Sequence, residues 1–187
     1  MGYLYLADIL NKGITPLMNY SKTDLYLFTD SSLDARLGKG VGAILILTAK
    51  ELTLETGKFE FKVRTRLMET TSIAQLEIMT VLWALEEEGA LFQSGGSLEI
   101  ITDCQAIKKL PERRDKLESK KYCSQRTKKR LPNADLYQRF FKSLDELAFT
   151  ITWIKGHSPR HEQNRFQRVF ALVDKASRRA LREYRRL

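Results

Sequence analysis

Apolar and polar positions along this chain follow two periods, one of two residues and one near 3.6. Residues 24–29, DLYLFT, predict a first strand, and GVGAILIL at 40–47 a second. ELTLETGKFEF at 51–61 alternates and predicts a half-exposed third. Gly38, Gly40 and Gly42 punctuate the first turn, so these strands are expected as an antiparallel meander. The period then lengthens. SIAQLEIMTVLWALEEEG predicts a helix over 73–88, with Ala74, Ile78, Val81, Leu82 and Leu85 as its apolar stripe. Ser72 and Gln75 form an S-x-x-Q capping box at its start, and Gly89 stops it. A fourth strand is expected over 97–102, a helix over 104–118 with Pro111 inside it, and a helix over 133–147. FTITWIK predicts a fifth strand over 149–155. The last helix is expected over 166–185, on Val169, Val173, Ala176, Ala180 and Tyr184.

The order is βββαβααβα. Strands reached through helices are usually parallel to their neighbours. An α/β fold with a mixed five-stranded sheet flanked by helices is therefore expected. Residues 1–21 precede the pattern as an extension of unassigned role, and 22–187 read as one domain. A hydrophobic fraction of 43% with 10% aromatics excludes a disordered chain. No apolar run reaches the roughly 20 residues that span a bilayer, so no membrane association is expected. MGYLYLADILNKG lacks the basic start of a signal peptide. Two cysteines, Cys104 and Cys123, make neither a disulfide framework nor a zinc pattern, which points to a reducing, cytoplasmic setting. Nothing in the pattern marks a dimer interface, so a monomer is expected.

Charge changes the picture more than composition does. The net charge is +9, and it is concentrated. Residues 108–130 hold eleven Lys and Arg against three acids, and RRALREYRRL at 178–187 holds five Arg against Glu183. Clustered base is the footprint of a polyanionic partner; alone it also describes a solvated helix face.

The acids carry the candidate chemistry. Asp30 follows the first strand and Asp103 the fourth. If those strands are parallel neighbours, both carboxylates emerge at one sheet edge, where α/β proteins place their sites. Glu77 lies at the border of the first helix's apolar stripe, and Asp174 at the border of the last helix's. Converging carboxylates need protons or a cation, and oxygen ligands without His or Cys favour Mg²⁺, with Mn²⁺ also suited. Two such ions clamp a phosphodiester for attack by water. Each acid also has a plainer reading. Asp30 and Asp103 can be turn formers, Glu77 an ordinary surface acid, and Asp174 an exposed helix residue paired with Arg178 four positions on. Trp83 and Trp153 read as core residues rather than stacking platforms.

FTDSS, AQLEIMTVLWALEE, IITDCQ, PNADLYQRF and ITWIKGHS stand in the order found in ribonuclease H of type 1, which the chain resembles over residues 22–185. The resemblance implies an RNase H-like fold and a metal site of Asp30, Glu77, Asp103 and Asp174. It implies hydrolysis of the RNA strand of RNA–DNA hybrids, leaving 3′-hydroxyl and 5′-phosphate ends, with two Mg²⁺ ions. It makes 108–130 a basic handle, with Lys120, Lys121, Arg126, Lys128, Lys129 and Arg130 on the DNA strand's phosphates. His157, in the loop after the fifth strand, takes the place of a histidine that assists proton transfer or product release, a role suited to a group titrating near neutrality. His161 is its nearby rival.

Ile73 and Ala74 stand where the family carries an asparagine pair. Substrate contacts therefore fall to Ser31, Ser72, Gln75 and Gln105. Cys104 replaces a serine and suggests an oxidation-sensitive site, and Asp174 stands seventeen positions after His157, further than in the common bacterial form. Two other classes fit the same residues: a resolvase-, integrase- or transposase-like nuclease on this fold, and a non-catalytic nucleic-acid-binding module.

Overall fold

β-branched and aromatic residues in LYLFTDSSLD and KGVGAILILT make the two longest strands, β1 (Leu25–Asp34) and β2 (Lys39–Thr48). They pair antiparallel from Leu25 opposite Thr48 to Asp34 opposite Lys39. Gly38 closes the turn between them with a φ of +63°, a conformation that suits glycine. The computed structural model describes residues 24–156 and 158–186. The extension at 1–21 and His157 lie outside them.

The other elements are β3 (Arg64–Glu69), α1 (Ile73–Glu87), α2 (Gly89–Ser94), β4 (Leu98–Thr102), α3 (Gln105–Lys108), α4 (Arg114–Ser119), α5 (Ala134–Leu147), β5 (Thr150–Trp153) and α6 (Arg165–Tyr184). The sheet order is β3-β2-β1-β4-β5, with β1, β4 and β5 parallel and β2 and β3 antiparallel to their neighbours. This is the mixed five-stranded α/β sheet expected from the sequence.

Successive residues of β1 serve opposite layers. Leu25 and Leu27 join Ile44, Leu98 and Ile100 under α1 and α5. Phe28 joins Leu45, Leu47 and Ile101 under α6, against Val169, Phe170 and Val173. β2 brings α1 close. A Cβ built on Gly40 would stand 2.3 Å from the Leu76 side chain, and one on Gly42 2.2 Å from Thr80 Oγ1. The two glycines therefore set the spacing between the sheet and α1, rather than shaping the first turn.

Several expectations need correction. Residues 51–62 form short 3₁₀ turns and no third strand. The Arg165 guanidinium gathers this segment, donating to the Leu52 carbonyl at 2.5 Å, to Thr56 Oγ1 at 2.7 Å and to the Leu54 carbonyl. Phe59 is buried, whereas Phe61 is 83% exposed, so the alternation does not mark a sheet face. The third strand is RTRLME instead, and its Arg64 and Arg66 lie over the Trp83 ring, 5.5 and 5.7 Å from the centroid. The helix expected over 104–118 is broken into α3, a 3₁₀ turn at Pro111–Arg113 and α4, because Pro111 lacks the N–H a continuous helix needs.

The start of α1 carries half of the expected capping box. Ser72 accepts from the Gln75 N–H at 3.4 Å, but the Gln75 side chain takes the Thr70 hydroxyl at 2.6 Å. Gly89 opens α2 rather than ending the helical run. The buried surface of α1 is also wider than one stripe: Leu76, Glu77, Thr80, Trp83 and Ala84 are buried too, with Leu76 and Thr80 against Gly40 and Gly42 of β2 and Trp83 beneath Arg64 and Arg66 of β3, while Ala74 is exposed.

Candidate active site

β1 and β4 run parallel, with Leu25 opposite Leu98 through Phe28 opposite Ile101. Continuing that offset sets Asp103 level with Asp30. β1 itself runs on to Asp34, so Asp30 sits within a strand, opposite Ala43 of β2, and not at its end. Alternation turns Asp30 toward α6. There its Oδ2 accepts from Ser177 Oγ at 2.6 Å, and Ser32 Oγ lies 3.0 Å from the same hydroxyl. Its neighbour Ser31 turns toward α1, with Oγ 2.9 Å from Thr80 Oγ1.

Glu77 comes from α1 and is buried at 6% exposure, with Oε2 sealed from solvent and lacking a hydrogen-bond partner among the described residues. Burial pushes its carboxyl well above the ordinary range; the charges of Asp30 and Asp103 add, and a Ser31 hydrogen bond works against them. Burial likewise pushes Asp30 up to about 7, with the Ser177 hydroxyl opposing and the charges of Asp103 and Asp174 adding. Asp30, Glu77 and Asp103 therefore sense one another at one end of the sheet, and Asp174 acts on Asp30. Asp103 is half-buried, and the main chain after β5 passes directly against it. A Cβ on Gly156 would stand 2.4 Å from Asp103 Oδ2, so any side chain there would push the Asp103 carboxylate aside.

Asp174 also makes the ion pair that its spacing allows, to Arg178 at 2.7 Å. Among the described residues, no three of His, Cys, Asp and Glu stand together as a ready ligand cluster. Asp30 and Glu77 approach from opposite faces of the sheet, and Ser177 holds one Asp30 oxygen on the α6 side. The donors nonetheless fit a hard divalent cation. They are all oxygen, Asp30, Glu77 and Asp103 repel one another, and Glu77 Oε2 has no hydrogen-bond partner among the described residues.

The remaining candidates divide. Ser72 and Gln75 are spent on capping and on Thr70, at the helix end nearest Glu77. Gln105 is exposed at the start of α3. His157 lies outside the described residues, and His161 is exposed beside Glu162. Cys104 departs from the expectation of an oxidation-sensitive site: burial, with the charges of Glu77 and Asp103, pushes its thiol up and so disfavours the reactive thiolate.

The basic segment folds as α4 followed by a tight hairpin. Lys121 and Tyr122 take positive φ, the Leu131 N–H donates to the Tyr122 carbonyl, and Cys123 bridges Arg130. Tyr122 is buried and anchors the hairpin; Arg126, Lys128 and Lys129 are exposed on it. Lys120 is half-buried beside Lys116, and both burial and that charge hold its amine below the ordinary range. Arg130 is committed to α5, through Asp135 and through Gln138 at 3.2 Å.

Sequence reasoning missed Ser177, a polar residue one turn after Asp174 on the buried face of α6. It also misplaced Trp153, which is 39% exposed and donates its indole N–H to the Asp103 carbonyl at 2.8 Å. An apolar-looking β5 at the sheet's edge was the available signal.

No curated protein matches the chain. Among solved structures, the RNase H domain of PFV matches with 17% identity and a TM-score of 0.61, over 84% of this chain and 93% of that one. The foamy viral protease–reverse transcriptase in complex with an RNA/DNA hybrid matches with 12% identity and a TM-score of 0.57, over 84% of this chain. The native prototype foamy virus protease–reverse transcriptase matches with 18% identity and a TM-score of 0.58, over 88% of this chain. The chain spans about a fifth of the length of each protease–reverse transcriptase, 20% and 21%. These likenesses show the fold. The RNase H family model matches residues 22–180. With that match over most of its length, on a sheet that sets Asp30 and Asp103 level, the chain belongs to the RNase H family.

Proposed function

We propose that this protein is a metal-dependent endonuclease that hydrolyses the RNA strand of RNA–DNA hybrids, leaving 5′-phosphate and 3′-hydroxyl ends. The observation that carries the reading is the buried Glu77 Oε2, without a hydrogen-bond partner among the described residues and within electrostatic reach of Asp30 and Asp103, since such repulsion is relieved by a cation. Family membership supports the choice of substrate. Asp30, Glu77, Asp103 and Asp174 would hold the metal. Two Mg²⁺ ions, when bound, supply a nucleophilic water at neutral pH and neutralise charge on the phosphate.

The chain's own residues do the rest. Ser177 fixes the Asp30 carboxylate, and Ser31 orients Glu77. Gly156 lets the main chain after β5 pass against Asp103. Arg126, Lys128 and Lys129 offer the DNA strand's phosphates a cationic rail. The test is incubation of a labelled RNA–DNA hybrid with and without Mg²⁺, beside RNA duplex, single-stranded RNA and branched DNA. Mg²⁺-dependent cutting of the hybrid alone is expected. Preferential cutting of branched DNA would point to the resolvase-like reading, and binding without cutting to a non-catalytic module.

A further inference from the structure

Beside Asp103, away from β1, lies an open groove of about 510 Å³ lined by Gln105, Lys108, Lys109, Thr152 and Trp153. This is within the size range of ligand pockets. The proposed cleavage chemistry leaves it unused. We propose that it is a subsite for an unpaired stretch of nucleic acid running off the cleavage site; the inference rests on the nuclease reading of the acids.

Three features carry it. Trp153 is 39% exposed on an edge strand, whereas the chain's other tryptophan, Trp83, is 6% exposed. Its N–H is held by the Asp103 carbonyl at 2.8 Å, so the ring is fixed before any ligand arrives, and it is fixed to the residue that carries a candidate catalytic acid. The lining side chains include two lysines and no acid. Lys108 donates to the Ile151 carbonyl at 2.6 Å, which holds its charge at the groove, and Lys109 is exposed.

An indole face with cations around it suits single strands. Stacking needs a free base face, and in a duplex both faces are taken by neighbouring base pairs. Phosphates then meet the lysines while one base meets Trp153. A paired stretch of hybrid contributes no such base, so the groove distinguishes substrates with an unpaired extension from blunt ones.

The experiment is a binding titration in EDTA, where cutting is suppressed, following the fluorescence anisotropy of a labelled oligonucleotide and, in the wild type, tryptophan emission as well. The probes are a blunt RNA–DNA hybrid, the same hybrid with a short single-stranded RNA extension at either end, and a single-stranded oligonucleotide alone. Saturable quenching is expected with the single strand. About tenfold tighter binding is expected for one of the extended hybrids than for the blunt one, in line with the strength of one stacked base. Lys109→Ala and Trp153→Leu should each abolish that preference, and Trp153→Phe should restore most of it. Equal affinity for blunt and extended hybrids, or a preference that survives Trp153→Leu, would overturn the subsite. If Trp153→Leu fails to melt cooperatively, Lys109→Ala and Trp153→Phe decide the question. Cleavage of the blunt hybrid in Mg²⁺ is read separately: its absence alongside intact quenching refutes the nuclease reading and not the groove.

Discussion

A carboxyl at Asp30 that titrates near 7 has a consequence for stability. The folded protein holds this proton more tightly than the unfolded chain, whose aspartates titrate near 4. In metal-free protein the contribution is therefore fully present below about pH 4 and is lost as the pH rises through about 7. Asp30→Asn, which can still take the Ser177 hydrogen bond, should raise the melting temperature of chelated protein at pH 7.5 by a few degrees. Its advantage should shrink at pH 5.5, as thermal melts at the two pH values will show. Activity moves the other way. Asp103→Asn should lower hybrid cleavage by at least about a hundredfold, with binding in EDTA little changed, because a lost carboxylate removes transition-state stabilisation more than it removes affinity. At this scale the sequence was informative about which acids the fold brings within electrostatic reach of one another, as for Asp30, Glu77 and Asp103. Where the role follows from a neighbour it was silent. Ser177 matters because it meets Asp30 from 147 positions away, and Arg130, though exposed, already has its charge paired with Asp135.

Between elements, the spacing of α1 from β2 is the sensitive quantity. Gly42→Ala would drive a methyl into Thr80, which is fully buried and also bonded to Ser31. The helix must then lift, at a cost of about 1–3 kcal/mol. Glu77 rides on that helix. The variant should therefore lose several degrees in melting temperature and also bind Mg²⁺ more weakly, measurable by calorimetry on the folded fraction. Most elements were legible in the sequence because each has one face in the core and its periodicity shows it. The exceptions share a physical cause. Residues 51–62 alternate like a strand, but Arg165 ties up their carbonyls, and that arginine lies more than a hundred positions downstream. The segment after Asp103 has a helical composition, yet Pro111 withholds the hydrogen bond that would join its pieces.

Over the whole molecule, charge sets how a polyanion arrives. The net charge of +9 is gathered at the handle and along the final helix, so association should weaken steeply with salt. Replacing Arg126, Lys128 and Lys129 together by Ala should raise KM and flatten the log–log salt dependence of hybrid binding by roughly 2–3. Arg130→Ala should leave that slope unchanged, since its guanidinium already has an anion in Asp135. The parallel pairing of β1 with β4 stood in the sequence only as a condition for the acids to converge, and the sheet meets it.

The carboxylates belong to different layers. Glu77 stands on α1 above one face of the sheet, Asp174 on α6 above the other, with Asp30 and Asp103 on the sheet between them. A divalent ion taken up there is a rivet through all three. Added Mg²⁺ should slow amide hydrogen exchange in both helices together, although they touch opposite sides of the molecule, and chelation should loosen both at once.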